Sequence, residues 1–113
     1  MNTSQQIDLI SASLAKAQGE FESAKKATKN DFFKSKYADL AEVWYAIRES
    51  LSKNELAVIQ TPSVDYSKGS TTVNVTTRLV HSSGQYFEET LTLMPVKADP
   101  QGVGSAITYA RRY

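Results

Sequence analysis

Apolar residues recur at helical spacing in two segments of the N-terminal half of the chain. The first segment covers residues 4–18, where Thr3 or Ser4 is suited to the N-cap position. The second begins at Asp39 and fades near Asn54, a residue type that favours the left-handed position after a helix. The two stripes consist of Ile7, Ile10, Leu14 and Ala17, and of Leu40, Val43, Trp44, Ile47 and Leu51. The pattern therefore predicts two amphipathic helices.

After residue 56 the pattern alternates between apolar and polar residues, which is typical of half-buried strands. The predicted strands are Ala57–Val64, Thr71–Val80 and Gln85–Met94. Pro62 indicates an edge position or a strand end for the first of them, and short loops over residues 66–70 and 81–84 join the three strands. Consecutive strands joined by short loops form an antiparallel meander, in which one face contacts the core and the other contacts water.

A third helix is predicted from Asp99-Pro100, because an acid suits the N-cap position and proline suits the first helical position. Its apolar residues are Val103, Ile107 and Ala110, nearly opposite Tyr109 and Arg112. Together the predicted elements indicate an α+β fold, an antiparallel three-stranded β-meander packed with helices.

The chain has 113 residues, of which 41% are hydrophobic and 22% are charged, and this composition fits one globular domain. It contains no cysteine, so disulfides and thiolate zinc sites are excluded. The acids are scattered without the spacing of metal ligands, and no window approaches the roughly 18 apolar residues of a membrane span. The N-terminus also lacks the basic and apolar regions of a secretory signal. We therefore expect neither a bound metal nor a membrane segment.

Positive charge concentrates in the basic segment, residues 25–37, which carries about +4 while the whole chain carries +1. Its lysines are Lys25, Lys26, Lys29, Lys34 and Lys36. Phe32, Phe33 and Tyr37 lie between and after them. Cations contact phosphates and aromatic rings stack on unpaired bases, so this combination favours a sequence-tolerant binder of single-stranded nucleic acid. A second basic region, with Lys97, Arg111 and Arg112 against Asp99, lies at the C-terminal end.

Several of these features have simpler interpretations. Residues 25–29 can form a solvated linker between two helices, and the arginines at 111–112 can complement the dipole at a helix end. The Gly-x-Gly at residues 102–104 can contact phosphate through backbone N–H groups, although close packing against the sheet is the favoured explanation. His81 lies in a Ser-Gly turn without a cysteine partner, so a catalytic role is not expected.

Three motifs are distinctive enough to compare with known families. They are Phe32–Leu40 (FFKSKYADL), the turn His81–Gly84, and Asp99-Pro100-Gln101 followed by Gly104–Tyr113 (GSAITYARRY). These motifs resemble the Erf family, the essential-recombination-function proteins of phages and prophages, which are single-strand annealing proteins. The resemblance covers nearly the whole chain from the first helix onward, and its last motif is long and specific.

The resemblance implies an ATP-independent, cofactor-free protein that binds single-stranded DNA and anneals complementary strands in phage-type homologous recombination. It implies rings or filaments of the same chain, a β-β-β-α core related to the eukaryotic single-strand annealing recombinases, and no enzymatic activity. The implied location is the cytoplasm of a bacterial host, with a phage exonuclease or a host single-strand binding protein as a further partner. Family members usually continue further, so we expect residues 1–113 to be one DNA-binding and annealing domain, the N-terminal part of a longer protein.

The residues and the resemblance lead to the same binding hypothesis. An annealing protein must hold the DNA backbone and leave the base edges free, so contacts to phosphate are expected to predominate. The expected nucleic-acid-binding residues are Lys34, Lys36, Tyr37, Lys97, Tyr109, Arg111 and Arg112. The cations are expected at phosphates and the tyrosines at bases or in the wall of a groove between residues 32–37 and 109–113. The alternative is a protein-interaction or oligomer-assembly module without direct DNA contact.

Overall fold

The computed structural model of the chain describes residues 1–21, 40–66, 69–95, 97 and 99–112. Within these residues it contains three helices and a four-stranded antiparallel sheet, so the predicted α+β class is confirmed. In chain order the elements are β1 (Asn2–Thr3), α1 (Asp8–Gly19), α2 (Leu40–Lys53), β2 (Leu56–Asp65), β3 (Thr72–His81), β4 (Tyr86–Leu93) and α3 (Pro100–Arg112). The basic segment lies outside the described residues.

The strand order in the sheet is β1-β4-β3-β2. Strands β2, β3 and β4 form the predicted meander, with continuous registers that begin at the pairs Leu56–His81 and Val80–Tyr86. The expectation of only three strands was wrong, because β1 pairs with β4 and places Asn2 opposite Glu88. A strand of two residues is too short for alternation to be recognised in a sequence.

The first helix begins at Asp8 rather than at residue 4. Neither predicted N-cap residue caps it: Thr3 belongs to β1, and Ser4 donates its N–H to a carbonyl oxygen of β4 at 3.0 Å. The cap comes from Gln85 before β4, whose Oε1 accepts the backbone N–H groups of residues 9–10, both at 2.9 Å. The first turn of a helix leaves such N–H groups without an intrahelical partner. A residue distant in sequence therefore determines where α1 starts.

The predicted apolar stripes meet on one face of the sheet. The main core cluster consists of Ile10, Ala17, Leu51 and Leu56, with Leu14, Phe21, Ile47, Val58, Leu79 and Phe87 partly buried around it. On the same face, Val73, Val75 and Ala110 are also buried. The helix pair α1–α2 packs around Leu56 and the neighbouring strand ends, and α3 packs mainly against β3. The predicted periods of the second and third helices are confirmed, although Val43 and Trp44 of the α2 stripe are exposed.

Hydrogen bonds join the C-terminal ends of α1 and α2. Ser50 Oγ donates to a backbone carbonyl oxygen of α1 at 2.8 Å. Asn54 Nδ2 and Lys53 Nζ each donate to the Glu20 carboxylate at 3.0 Å. Asn54 does not adopt the left-handed conformation predicted for it, which belongs to Glu55 with a φ of 63°. Asn54 lies directly after α2, and its side chain instead links the two helices through the hydrogen bond to Glu20.

These hydrogen bonds, from Asn54 first and from Lys53 second, hold the pKa of Glu20 below its ordinary value. A lowered pKa means stability that is present above the unfolded-state pKa and is lost as the pH falls through the folded-state pKa. We expect the chain to lose stability below about pH 4, and Glu20→Gln to lose less over the same range. Urea unfolding at several pH values measures this difference. An identical pH dependence in the variant would contradict the assignment to Glu20.

Strand β2 forms one edge of the described sheet, and a proline interrupts that edge. Ser82 donates its N–H to the carbonyl oxygen of Glu55 at 3.0 Å, which makes Glu55 and Ser82 a hydrogen-bonded pair. Such pairs alternate along an antiparallel ladder, so the odd-numbered residues of β2 bond to β3 and the even-numbered residues point their backbone N–H and C=O groups away from it. Pro62 therefore lies at an outward-pointing position and removes one donor from the edge. The predicted edge position is confirmed, and the missing donor disfavours pairing with a further strand.

Candidate nucleic-acid interface

Helix α3 presents an apolar stripe to the sheet and a polar face to solvent. Val103 and Ile107 are half-buried and Ala110 is buried, as the sequence predicts. Tyr109 and Arg111 are exposed and flank the polar face on opposite sides, because helical residues two positions apart differ by about 200°. The Tyr109 side chain is 46% exposed. The solvent-exposed face of the helix thus has the aromatic ring of Tyr109 on one side and the cation of Arg111 on the other.

A groove lies between α3 and the residues that follow β4, and we call it the α3 groove. Its volume is ≈ 560 Å³. Met94 and Pro95 line it on the strand side, and Ser105 and Tyr109 line it on the helix side. Lys97 is exposed and also lines the groove. The structure therefore brings two of the predicted site residues, the lysine and the tyrosine, to one concave surface.

The start of α3 does not provide a free phosphate cradle. Asp99 Oδ1 accepts the N–H of Gly102 at 2.7 Å and so places a carboxylate where an anion would bind. A Cβ on Gly102 would lie 2.0 Å from the carbonyl oxygen of Lys97, whereas a Cβ on Gly104 would have no atom within 4 Å. The expected close packing of these glycines against the sheet was therefore wrong: Gly102 contacts the backbone before α3, and Gly104 has open space beside it.

Arg111 is held beside β2 by a pair of hydrogen bonds with Gln60. Arg111 Nε donates to Gln60 Oε1, and Gln60 Nε2 donates to the backbone carbonyl oxygen of Arg111, both at 3.1 Å. The side-chain bond uses Nε, and the guanidinium also carries N–H groups on its two Nη atoms that suit a phosphate. Arg111 is not adjacent to Lys97, because the helix from Pro100 to Arg111 spans about 17 Å.

The other predicted site residues lie beyond what the structure describes. Lys34, Lys36 and Tyr37 are outside the described residues, so the groove wall expected from them stays a prediction. Arg112 ends α3, but its side chain is outside the description as well. Of the predicted set, the structure positions the side chains of Lys97, Tyr109 and Arg111.

His81 is a buried residue at the end of β3, in contact with Ser13. Its Nε2 lies 3.0 Å from Ser13 Oγ, and its Nδ1 lies 3.1 Å from the backbone nitrogen of Ser83. Nδ1 also lies 2.8 Å from Ser83 Oγ, so both ring nitrogens have hydrogen-bonding partners. These contacts hold the ring between α1 and the turn that follows β3.

A second groove was not predicted from the sequence, and we call it the α2 groove. It lies between α2, the sheet and the end of α3, has a volume of ≈ 440 Å³ and is lined mainly by apolar side chains. Val43 and Trp44 line it, and Trp44 is 41% exposed. Helical periodicity identifies the apolar side of α2 but does not reveal whether another element covers every residue on it.

The opposite face of the sheet is polar, as the alternation predicts. Arg78 Nε donates to Glu88 Oε1 at 2.8 Å, and its guanidinium carbon lies 3.9 Å from the centroid of the Tyr86 ring. Thr76 and Thr90 form a cross-strand hydroxyl pair at 2.9 Å. Because Arg78 is already paired with a carboxylate, this face offers phosphate a less favourable surface than α3 does.

Metal binding and membrane insertion are two other roles to consider for the part of the chain that the structure describes. Those residues contain no group of three or more histidine or acidic side chains arranged to hold a metal ion. No helix among them combines the length and the apolar character that crossing a bilayer requires.

The described residues thus form an α+β domain with an exposed helix face that is a candidate surface for nucleic acid. In a comparison with protein families, the model of the ERF superfamily matches residues 10–113. The match extends over most of the sequence, and the chain belongs to this superfamily, as its motifs predict. Membership links it in general terms to phage recombination and annealing. No curated protein and no solved structure matches the chain.

Proposed function

We propose that the chain binds single-stranded DNA and anneals complementary strands, without ATP, in phage-type homologous recombination. The observation that carries this proposal is the ERF superfamily match over residues 10–113. Side chains on α3 and just before it support the proposal, because Lys97 and Arg111 are cations suited to phosphates and Tyr109 is an exposed ring suited to bases. The order β2-β3-β4-α3 also agrees with the β-β-β-α core that the resemblance implies.

Annealing requires two strands to approach each other with their base edges free. Lys97 and Arg111, at opposite ends of α3, would hold one strand by its phosphates, a contact that is independent of base sequence. Neutralised phosphates repel a second strand less strongly. Base pairing itself is favourable, so the reaction needs no nucleotide hydrolysis, and the sequence has no Gly-Lys-Ser/Thr nucleotide loop.

The proposal includes assembly, location and partners. The chain would act as a homo-oligomer, a ring or filament, in the cytoplasm of a bacterial host cell, and it would not be an enzyme. A phage exonuclease or a host single-strand binding protein would be the further partner. Exposed large apolar side chains such as Trp44 and Ile59 support self-association.

Removal of either described cation should weaken binding to single strands. We expect Lys97→Ala and Arg111→Ala each to lower the slope of log K against log salt by roughly 0.7 to 1, because each removes one phosphate contact. Fluorescence anisotropy of a labelled dT oligonucleotide, titrated at several salt concentrations, measures affinity and slope together. Arg111→Ala also removes the hydrogen bond to Gln60, so urea unfolding of each variant accompanies the titration.

Lys16→Ala is the matched control, because Lys16 is an exposed lysine on a different helix, α1. The slope of log K against log salt for Lys16→Ala should equal that of the unaltered chain. If Lys97→Ala and Arg111→Ala keep that slope while they remain folded, neither residue belongs to the site. The same titration of Lys36→Ala and Arg112→Ala tests two predicted contacts whose side chains the structure does not describe.

The second candidate function is a protein-interaction or assembly module that does not touch DNA. The apolar α2 groove, with Trp44 exposed in its wall, favours this candidate. Pro62 interrupts the edge of β2, so such contacts would use the helix-bearing face rather than strand pairing. Binding of single strands by the isolated chain, insensitive to base sequence, would exclude the second candidate. Self-association without any oligonucleotide binding would favour it.

A further inference from the structure

Tyr109 stands between two concave surfaces of α3. One is the α3 groove, and the other is an outer hollow of ≈ 570 Å³ that is lined by Pro100, Gly104 and Thr108 among others. Tyr109 and Ser105 line both. Residues 104 and 105, a glycine and a serine, are small. The Tyr109 side chain is 46% exposed, and this exposed part can contact a flat ligand.

The wall of the α3 groove that comes from the residues after β4 is apolar. Met94 and Pro95 follow Leu93, the last residue of β4, along this wall, and Met94 is 72% exposed. A methionine thioether makes favourable contacts with aromatic systems, and it adapts its shape to them. The groove therefore has an aromatic side chain on the helix side and an apolar, deformable surface on the strand side.

The charges in the α3 groove favour a nucleotide over an apolar peptide. Lys97 supplies an ammonium group in the same groove as the Tyr109 ring. Asp99 also lines the groove, but its Oδ1 accepts the Gly102 N–H at 2.7 Å and is committed to the helix cap. An unpaired nucleotide presents an apolar base face and an anionic phosphate, which match the ring and the lysine.

We propose that the α3 groove holds one unstacked nucleobase of a single strand, between Tyr109 and the Met94–Pro95 wall, with a neighbouring phosphate on Lys97. This inference rests on the proposed function and deepens it, because it places one stacked base in a particular groove with an apolar second wall. The groove volume of ≈ 560 Å³ suits a small ligand, for which about 300–1,000 Å³ is usual. Stacking contacts the face of a base and leaves its pairing edge free for a complementary strand.

An oligonucleotide without bases separates stacking from phosphate binding. A labelled dT oligonucleotide and a fully abasic one of equal length and charge are titrated into the chain at one salt concentration. The intact chain should bind dT roughly five- to 150-fold more tightly. Tyr109→Ala should lower this ratio at least about fivefold, and Tyr109→Phe should keep it. Ser105→Leu, which fills space in the groove, should lower it as well.

Tyr45→Ala is the matched control, because Tyr45 is an exposed tyrosine on α2, outside both concave surfaces, and this variant should keep the ratio. An unchanged ratio in folded Tyr109→Ala would overturn the inference, whereas continued dT binding would leave the proposed function standing. A ratio lowered by Tyr109→Ala but not by Ser105→Leu would place the stacking outside both concave surfaces, since Ser105 lines both, and would overturn the inference too. Failure of the chain to bind either oligonucleotide would overturn both proposals.

Discussion

Gly102→Ala is expected to destabilise the chain by about 2–3 kcal/mol. The added Cβ would lie 2.0 Å from the carbonyl oxygen of Lys97 and 2.9 Å from its carbonyl carbon. Both atoms belong to the backbone, so a change of rotamer cannot relieve the clash, and the segment before α3 must move. That movement would also disturb Asp99, which caps the Gly102 N–H. Urea unfolding followed by circular dichroism measures the loss.

Gly104→Ala is the control for this prediction. A Cβ at this position would meet no atom within 4 Å. Alanine is favoured over glycine in a helix interior by up to about 1 kcal/mol, so this variant should be more stable than the unaltered chain. If Gly102→Ala lowers the free energy of unfolding and Gly104→Ala raises it, the loss at Gly102 comes from the backbone contact and not from helix propensity. Stabilisation by both substitutions would contradict the contact between Gly102 and Lys97.

Ile10→Ala is expected to cost about 2–5 kcal/mol of the free energy of unfolding. Ile10 is 0% exposed and belongs to the core cluster that contains Leu51 and Leu56. Truncation removes apolar contacts and leaves a cavity where α1 packs on α2 and the sheet. Thermal and urea unfolding measure the loss.

The adjacent Leu9→Ala is the control for the substitution of Ile10. Leu9 is 51% exposed and points away from that cluster, so its truncation should change stability by no more than about 0.5 kcal/mol. If Ile10→Ala and Leu9→Ala lower the free energy of unfolding equally, α1 does not bury the side that contains Ile10. Such a result would also contradict the core described for this end of the sheet.

The main elements could be predicted because their apolar residues follow a period that the tertiary structure also uses. Ile10, Ala17 and Leu51 belong to the predicted helical stripes, and all three are buried. Val73 and Val75 alternate with polar residues on β3 and are buried on the helix-bearing face. Where a helix or strand buries one face, the local period of its apolar residues is sufficient to predict the type of element.

The start of the chain could not be predicted, because its partners are distant in sequence. The N–H of Leu9 is bonded to Gln85, 76 residues away. The pairing of β1 with β4 likewise involves a strand of two residues. A serine or threonine before an apolar stripe normally indicates an N-cap, but here the sheet uses Thr3 and Ser4 instead.

For the candidate site, the residue types could be predicted but not their arrangement. The helical period places Tyr109 and Arg111 on opposite flanks of α3. The placement of Lys97 in the same groove as Tyr109 depends on the path of the chain after β4, where no period exists. For the same reason the contribution of Met94 and Pro95 to the groove had no sequence signal.

Annealing of two complementary oligonucleotides, labelled for energy transfer and mixed without any nucleoside triphosphate, tests the central claim most directly. The rate is measured with the chain, without it, and with the Lys97→Ala Arg111→Ala double variant. We predict that the chain accelerates annealing and that the double variant does so less. A rate with the intact chain equal to the spontaneous rate, at concentrations that saturate the single strands, would contradict the proposed function.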